Sequence, residues 1–275
     1  MTDGLLLLIG GVAAGVFGSL LGLGGGILIV PFLTLVFGFP LLEAVGVSLV
    51  CVIMTSGAAA GVYLERRVAN LRLGMTLELF TAIGALFGGL IAFLLPERLL
   101  EFVFALLLAY TALTMARRRD ASEAPADATP PPAANDLASD DHAFLDTLSG
   151  PGYRVHNLGF GVIGSVVAGI ASALLGIGGG IVKVPLMHLA MGVPLRVATA
   201  TSNLMIGITA SASAIIYLIR GSIDPYAAAP TAIGVFIGAS IGSRTAHRIQ
   251  LRVLRGLFVA ILLYTAWQML QRALG

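Results

Sequence analysis

Charged residues are scarce in this sequence. Only 11% of its 275 residues are Asp, Glu, Lys or Arg, whereas 57% are hydrophobic, and the mean hydropathy is +0.97. A soluble domain carries about 25% charged residues, so this chain lacks the polar surface that a water-soluble fold of its length needs. The composition therefore predicts an integral membrane protein. The net charge of +2 gives no indication of a nucleic-acid partner.

Residues typical of redox, metal or catalytic sites are also missing. Cys51 is the only cysteine, which excludes an intrachain disulfide and paired-thiol chemistry. The four histidines are scattered along the chain without the spacing of metal ligands. No nucleophile with its base stands out, and no Gly-x-x-x-x-Gly-Lys nucleotide-binding motif is present. We therefore expect no metal, no cofactor, no enzymatic activity and no ATP hydrolysis by this chain.

What the sequence does contain is an internal repeat. Gly15–Met115 aligns without a gap to Gly169–Met269, at a constant offset of 154 residues. Low complexity would not hold this register over so long a stretch, so we infer a duplication. The clearest matches are Leu20–Ile27 with Leu174–Ile181, Val30–Pro31 with Val184–Pro185, Gly38–Leu41 with Gly192–Leu195, and Tyr110–Ala112 with Tyr264–Ala266.

A polar segment, residues 117–157, separates the two halves. It contains Pro130–Pro132, holds seven of the 14 acidic residues and has few large apolar side chains. Such a composition cannot bury enough surface to offset the entropy lost on ordering. We therefore expect a first transmembrane repeat at 1–116, a disordered cytoplasmic linker at 117–157 and a second transmembrane repeat at 158–275.

Apolar segments long enough to cross a bilayer, about 20 residues, occur at corresponding places in both halves. Each half also opens with a glycine-broken pair, Leu5–Phe37 interrupted at Gly22–Gly26, and Leu158–Leu175 followed by Ile181–Met191. A full helix with a short return helix and a re-entrant hairpin both fit this pattern. The fold class is thus all-α and polytopic, with eight to ten membrane segments. The three further spans of each half are predicted at Ala44–Leu64, Gly74–Leu95 and Leu99–Ala116, and at Ala198–Ile219, Ala228–Ala246 and Leu254–Leu270.

The arginines indicate how the chain is oriented. Cytoplasmic loops near the membrane carry an excess of Lys and Arg. If the linker is cytoplasmic and each half crosses an odd number of times, only Arg98, Arg220 and Arg272 lie outside. An odd number of crossings relates the halves by an axis in the membrane plane. This is the inverted-topology repeat that many secondary transporters share, and it places both chain termini opposite the linker.

The glycine clusters are the strongest candidates for a binding site. A dinucleotide fingerprint is excluded, because it needs a preceding strand and the flanks here are apolar helix. Close helix packing is one explanation of such glycines. Alternatively, Gly24, Gly25 and Gly26, and Gly178, Gly179 and Gly180, break helices inside the membrane. The N–H groups at the start of the following helix would then attract an anion.

Lys183 and a polar cluster accompany the second glycine group. Lys183 is the only lysine, against 15 arginines, and Ile29 is its counterpart in the first half. It either extends to the headgroups or adds a positive charge to an anion site. Four acidic residues, Glu43, Glu65, Glu78 and Asp224, are expected near helix ends, most of them in contact with water. One of the four could carry a coupling proton, but the sequence does not select which. The polar candidates for substrate binding are Ser48, Thr201, Ser202 and Asn203, with Thr55, Thr199 and Thr209 nearby.

These motifs resemble a known family. The duplicated Gly-(Leu/Ile)-Gly-Gly-Gly-Ile, the following Val-Pro, the later Gly-hydrophobic-Pro turn and Ala200–Asn203 are similar to those of the sulfite exporter TauE/SafE family. The resemblance covers both halves but not the linker. It implies a polytopic membrane protein that exports small sulfur-containing anions such as sulfite, sulfoacetate or related sulfonates.

The leading hypothesis is a secondary transporter of the inner cell membrane that binds a small anion near the membrane midplane, between the two repeats. An anion channel, or a permease for an unrelated small organic anion, is the alternative. The partners expected are the anionic substrate and the lipid bilayer. Whether the protein is a homo-oligomer is left open by the sequence.

Overall fold

The computed structural model describes residues 2–21, 24–65, 69–117, 148–150, 153–245 and 251–274. In these ranges the chain forms helices and no β-strand. They are α1 (Thr2–Leu21), α2 (Gly26–Val36), α3 (Leu41–Glu65), α4 (Leu71–Ala92), α5 (Glu97–Arg117), α6 (Leu158–Leu175), α7 (Gly180–Pro185, continued by a π-helical turn at Leu186–Ala190), α8 (Leu195–Ile219), α9 (Pro225–Thr245) and α10 (Leu251–Leu274).

Eight of these helices are long and apolar enough to cross a membrane, and α2 and α7 with its π-helical turn are the two shorter apolar ones. Large apolar side chains cover much of the outer surface, as at Met75, Phe160 and Trp267, which are 72%, 68% and 60% exposed. Water would oppose such exposure, whereas lipid tails accept it. The all-helical, multi-pass fold predicted from the sequence is confirmed.

The predicted spans match the helices closely, with one shift. Gly74–Leu95 was expected to span, whereas α4 runs from Leu71 to Ala92. Its start is fixed by Asn70, whose side chain caps the helix by accepting from the Leu73 N–H. The end predicted for the second-half span Ala228–Ala246 lies outside the described residues.

Each short helix runs back along the long helix that precedes it. A Cβ on Gly18 would meet the backbone of Gly25, and one on Gly10 would meet the Phe32 ring. In the second half, Gly164 of α6 lies against Leu186 in the same way. With 20 and 18 residues, α1 and α6 are each long enough to span. The structure therefore favours the first alternative, a full helix followed by a short return helix.

The two halves are interlocked, and their contacts come in matching pairs. Helix α1 packs on α9 and α4 packs on α6, while α3 packs on α8 and α5 on α10. Under the 154-residue offset, α1 corresponds to α6 and α4 corresponds to α9. The contact of α1 with α9 is therefore the repeat equivalent of the contact of α6 with α4. Glycines allow both: a Cβ on Gly84 would strike the Val166 carbonyl, and one on Gly238 would strike the equivalent carbonyl of Val12.

The bundle has two ends, and contacts between residues identify which helix termini lie at each. At one, the terminal end, Gly46 lies against Ser222, and Arg272 donates to the Thr34 carbonyl. At the other, the linker end, Asn70 donates to the Leu148 carbonyl and the Tyr153 hydroxyl. Helix α3 runs from the terminal end to the linker end, and its repeat equivalent α8 runs the opposite way.

The last residues of the predicted linker, 148–150 and 153–157, are described by the structure, and two of their side chains pack against the helices. Leu148 and Val155 are only 2% and 3% exposed and pack with Leu73 and Met187. The Val155 N–H also donates to the Ser149 hydroxyl. Composition did not reveal these contacts because two apolar anchors suffice to order a short polar stretch. Residues 118–147 of the predicted linker lie outside the described residues.

Candidate functional site

Glycine turns separate the paired helices of each half. Gly24 and Gly25 have φ values of 77° and 74°, and Gly178 and Gly179 have values of 74° and 75°. Only glycine adopts this left-handed region without strain. The turns follow the ends of α1 and α6 and lead directly into α2 and α7. The prediction that the glycine clusters break the helices is therefore confirmed.

The two turns meet in the interior, between the midpoints of α3 and α8. A Cβ on Gly24 would lie 3.4 Å from Ile206 and 3.8 Å from Val52, and one on Gly178 would strike the same two side chains. Val52 and Ile206 are themselves repeat equivalents. A Cβ on Gly26 would strike the Gly176 carbonyl, so the turns also touch each other directly.

Ser48 forms hydrogen bonds to both glycine turns. Its hydroxyl lies 2.7 Å from the Gly176 carbonyl and 3.3 Å from the Gly26 carbonyl, one from each half. The structure thus brings together the predicted site residues of both glycine clusters and Ser48. All of them are buried.

Two buried hydroxyls beside the second turn lack partners. Within the described residues, Ser172 and Ser202 have no hydrogen-bond partner for their side-chain oxygens. The Ser202 hydroxyl lies 3.5 Å from where a Cβ on Gly180 would be, and the Ser172 Cβ lies 3.3 Å from the corresponding point on Gly179. An unpaired buried hydroxyl costs free energy. Either hydroxyl could offset that cost by donating to a bound ligand.

Lys183 lies in a closed ring of polar contacts next to the same turn. Its ammonium is 2.9 Å from Glu78 Oε2 and 2.6 Å from Thr209 Oγ1, and Thr209 Oγ1 is 2.6 Å from Glu78 Oε1. Lys183 and Glu78 are 1% and 4% exposed. The ring joins α4 of the first repeat to α7 and α8 of the second. A Cβ on Gly179 would lie 3.6 Å from Lys183 Cε.

The structure removes one of the two alternatives for Lys183 and corrects the expectation for Glu78. Lys183 does not extend to the headgroups, because its ammonium is enclosed by Glu78 and Thr209. Glu78 does not lie in water at a helix end, because it is buried well inside α4. Sequence reasoning missed their pairing. The signal was present: a lone lysine in an apolar segment needs an opposite charge, and Glu78 falls inside a predicted span.

The ring has an apolar counterpart. Under the 154-residue offset, Glu78 corresponds to Ala232 and Lys183 to Ile29, both buried, whereas Thr209 corresponds to a threonine, Thr55. Thr55 donates to the carbonyl of Cys51 in its own helix. The fold therefore tolerates either a charged or an apolar pair at equivalent places, and the charged one occurs once.

The remaining predicted site residues lie apart from the turns or have other partners. Thr201 accepts from the Asn70 N–H at the linker end, and Thr199 bonds to its own helix. The backbone carbonyl of Asn203 accepts from the Ser56 hydroxyl, and that hydroxyl oxygen accepts in turn from the Gly207 N–H. No group of metal-binding side chains is found in the described parts of the chain.

The chain is similar to several proteins named as probable membrane transporters. The chain is 24% identical over 96% of both chains to the probable membrane transporter protein YunE of Bacillus subtilis. It is 29% identical to the probable membrane transporter protein MJ0441 of Methanocaldococcus jannaschii, over 78% of this chain and 72% of that one. It is 26% identical to the probable membrane transporter protein MamO of Paramagnetospirillum magneticum, over 94% of this chain and 43% of that one.

No solved structure matches the chain. The family model described as "Sulfite exporter TauE/SafE" matches residues 7–269, which include both glycine turns, the ring and nearly every described helix. A buried polar centre made by two matching halves is thus found in a chain that this family covers almost from end to end. The protein belongs to the sulfite exporter TauE/SafE family of membrane transporters.

Proposed function

We propose that the protein is a secondary transporter that exports a small sulfur-containing anion across the inner cell membrane. Sulfite, sulfoacetate and related sulfonates are the substrate class. The observation that carries the proposal is the meeting of two glycine turns, one from each repeat, beside the buried ammonium of Lys183. Interrupted segments at matching positions of two repeats are where secondary transporters bind their substrates.

The groups around the turns suit an oxyanion. Gly26 begins an eleven-residue helix, α2, whose first N–H groups have no partner within the helix and carry its positive end. The unpaired hydroxyls of Ser172 and Ser202 can donate. Lys183 supplies a full positive charge. The helix N–H groups and the ammonium favour an anion, and the two hydroxyls can add hydrogen bonds to its oxygens.

The directions of the helices support an inverted arrangement of the repeats. The equivalent helices α3 and α8 run oppositely between the terminal end and the linker end, as the contacts of Gly46 and Asn70 require. Ser48 links the turns of the two halves at the centre. Movement of one repeat against the other would open this buried centre to one side of the membrane at a time.

Counterflow in proteoliposomes tests the proposal. Vesicles containing the purified protein are loaded with unlabelled sulfite or isethionate, a simple sulfonate, and diluted into a trace of the labelled anion. A carrier concentrates the label transiently, because the outward gradient drives exchange. Protein-free vesicles and excess chloride are the controls. Uptake that never exceeds equilibration would indicate a channel, and absence of any protein-dependent flux would overturn the proposal.

A further inference from the structure

We propose that Glu78 binds the proton that is transported together with the anion. When Glu78 is protonated, its ion pair with Lys183 is lost and the ammonium can pair with the substrate. This inference rests on the proposed function and adds its coupling ion. The carboxylate and the anion would be alternative partners of one ammonium. The proton that neutralises Glu78 would travel with the anion.

The charged pair has no charged counterpart in the other half. At the equivalent place in the other half, Ile29 and Ala232 are buried in the apolar core. A charge inside a membrane protein is costly, and an apolar pair is often as stable as a buried ion pair. A pair present in one half, with an apolar counterpart in the other, points to a role in function.

The contacts of the ring allow the exchange of partners. Lys183 Nζ carries three N–H groups. Glu78 Oε2 and Thr209 Oγ1 account for two of them, so one has no partner among the described residues. The nearest turn, at Gly179, lies against the lysine side chain. An anion bound at the turns would therefore lie within reach of the ammonium.

Thr209 can support both states of Glu78. Its hydroxyl lies 2.6 Å from Glu78 Oε1 and 3.1 Å from the Met205 carbonyl. While Glu78 is ionised, Thr209 donates to the carboxylate. Once Glu78 is protonated, the acid can donate to Thr209, which then donates to the Met205 carbonyl. Neither state leaves a buried polar atom of the threonine without a partner.

The charges balance in each state. In the resting ring the ammonium and the carboxylate cancel. A monoanion that enters alone would leave one uncompensated negative charge in a low-dielectric interior, which is strongly unfavourable. If a proton from the aqueous side forms an O–H bond on Glu78, the acid is neutral and the ammonium pairs with the anion. One proton therefore accompanies each monoanion, and no net charge moves.

The helices around Glu78, Lys183 and Thr209 carry other titratable groups, and these lie toward the helix ends. Helix α6 has none. Helix α4 carries Arg72 in its first turn, α8 carries Arg196 near its start and Tyr217 near its end, and the π-helical turn carries His188. Tyr217 donates to the Ala173 carbonyl, and His188 lies at the Val193 carbonyl. The described partners of the ring are its own members and the Met205 carbonyl.

Proton movement during anion flux tests the inference. Proteoliposomes of the full chain enclose a pH-sensitive dye, and the membrane potential is clamped with potassium and valinomycin. Isethionate is the probe, since its sulfonate does not itself titrate near neutral pH. An inward isethionate gradient should acidify the lumen with one proton per anion, and the flux should be indifferent to the clamped potential.

In Glu78→Gln the amide cannot take up a proton, so any isethionate flux that the variant supports should acidify the lumen no more than protein-free vesicles do. Anion flux without acidification in the wild-type protein would overturn the coupling and leave the proposed function intact. Acidification that persists in Glu78→Gln would also overturn it. If that variant does not fold, the wild-type ratio of protons to anions decides alone. Absence of wild-type flux of both isethionate and sulfite would remove both proposals.

Discussion

The ammonium of Lys183 and the carboxylate of Glu78 lie 2.9 Å apart, one from each repeat, in a protein interior that is otherwise mostly apolar. The repeat equivalents of these residues are Ile29 and Ala232. At this place in the repeat, two charged residues in one arrangement correspond to two apolar residues in the other. Replacing the charged pair by its apolar counterpart, Glu78→Ala with Lys183→Ile, is therefore a control variant that the fold itself supplies.

Removing one charge of the pair should destabilise the protein, and removing both should not. Lys183→Met leaves the Glu78 carboxylate buried without a counter-charge, a loss of about 3–5 kcal/mol for pairs of this kind. Glu78→Ala with Lys183→Ile recreates the pair that the other half already buries and should recover most of that loss. Thermal unfolding in detergent measures both. Equal stability of the single variant and the wild type would contradict the ion pair.

The sequence predicted the architecture well because its signals are local. Apolar length located the long helices, and the triple glycines marked the turns that the structure shows at Gly24–Gly25 and Gly178–Gly179. The ring was not predicted, because it joins Glu78 to a lysine 105 positions away. The sequence also grouped Thr201 with Ser202, although the two neighbours on α8 have different surroundings. Thr201 bonds to Asn70, and Ser202 lies near Gly180.

Two equivalent serines should respond in opposite ways to alanine. Ser48→Ala loses the bonds to the Gly176 and Gly26 carbonyls and should lower stability by about 1 kcal/mol. Ser202→Ala removes a buried hydroxyl that has no described partner and should raise stability slightly, because the cost of the unpaired group is lost with it. Its effect should be on the anion: a lost bond to a charged ligand weakens affinity by roughly ten- to a hundredfold. Thermal unfolding with and without sulfite separates the two. Unchanged sulfite affinity in Ser202→Ala would remove this serine from the site.

The second glycine turn should not tolerate a side chain. Gly179 has φ of 75°, and a Cβ there would lie 3.1 Å from the Ala168 carbonyl. Gly179→Val should therefore abolish transport, since left-handed backbone strain of about 1–3 kcal/mol adds to the crowding. Gly159 is the control, because it lies in α6 with no atom within 4 Å of an added Cβ, so Gly159→Ala should be active. Normal counterflow by Gly179→Val would refute the role of the turn.

Topology can be measured with single cysteines in a Cys51→Ala background. His156 lies at the linker end and Asp224 at the terminal end of the bundle, and neither side chain is buried. The arginine distribution predicts a cytoplasmic linker. An impermeant thiol reagent should therefore label Asp224→Cys in intact cells and His156→Cys only after permeabilisation. The reverse pattern would invert the orientation, and labelling of both in intact cells would contradict the assignment of two opposite ends.

Anion binding to the wild-type protein and to the Glu78→Ala, Lys183→Ile variant tests the central claim, that Lys183 and the glycine turns form an anion site. The measurement is the rise in unfolding temperature of each purified protein as sulfite or isethionate is added, with chloride as the reference anion. We predict a saturable rise for the wild-type protein and none beyond that of chloride for the folded double variant, which keeps the turns but lacks the ammonium. An equal, saturable rise in both proteins would contradict the claim.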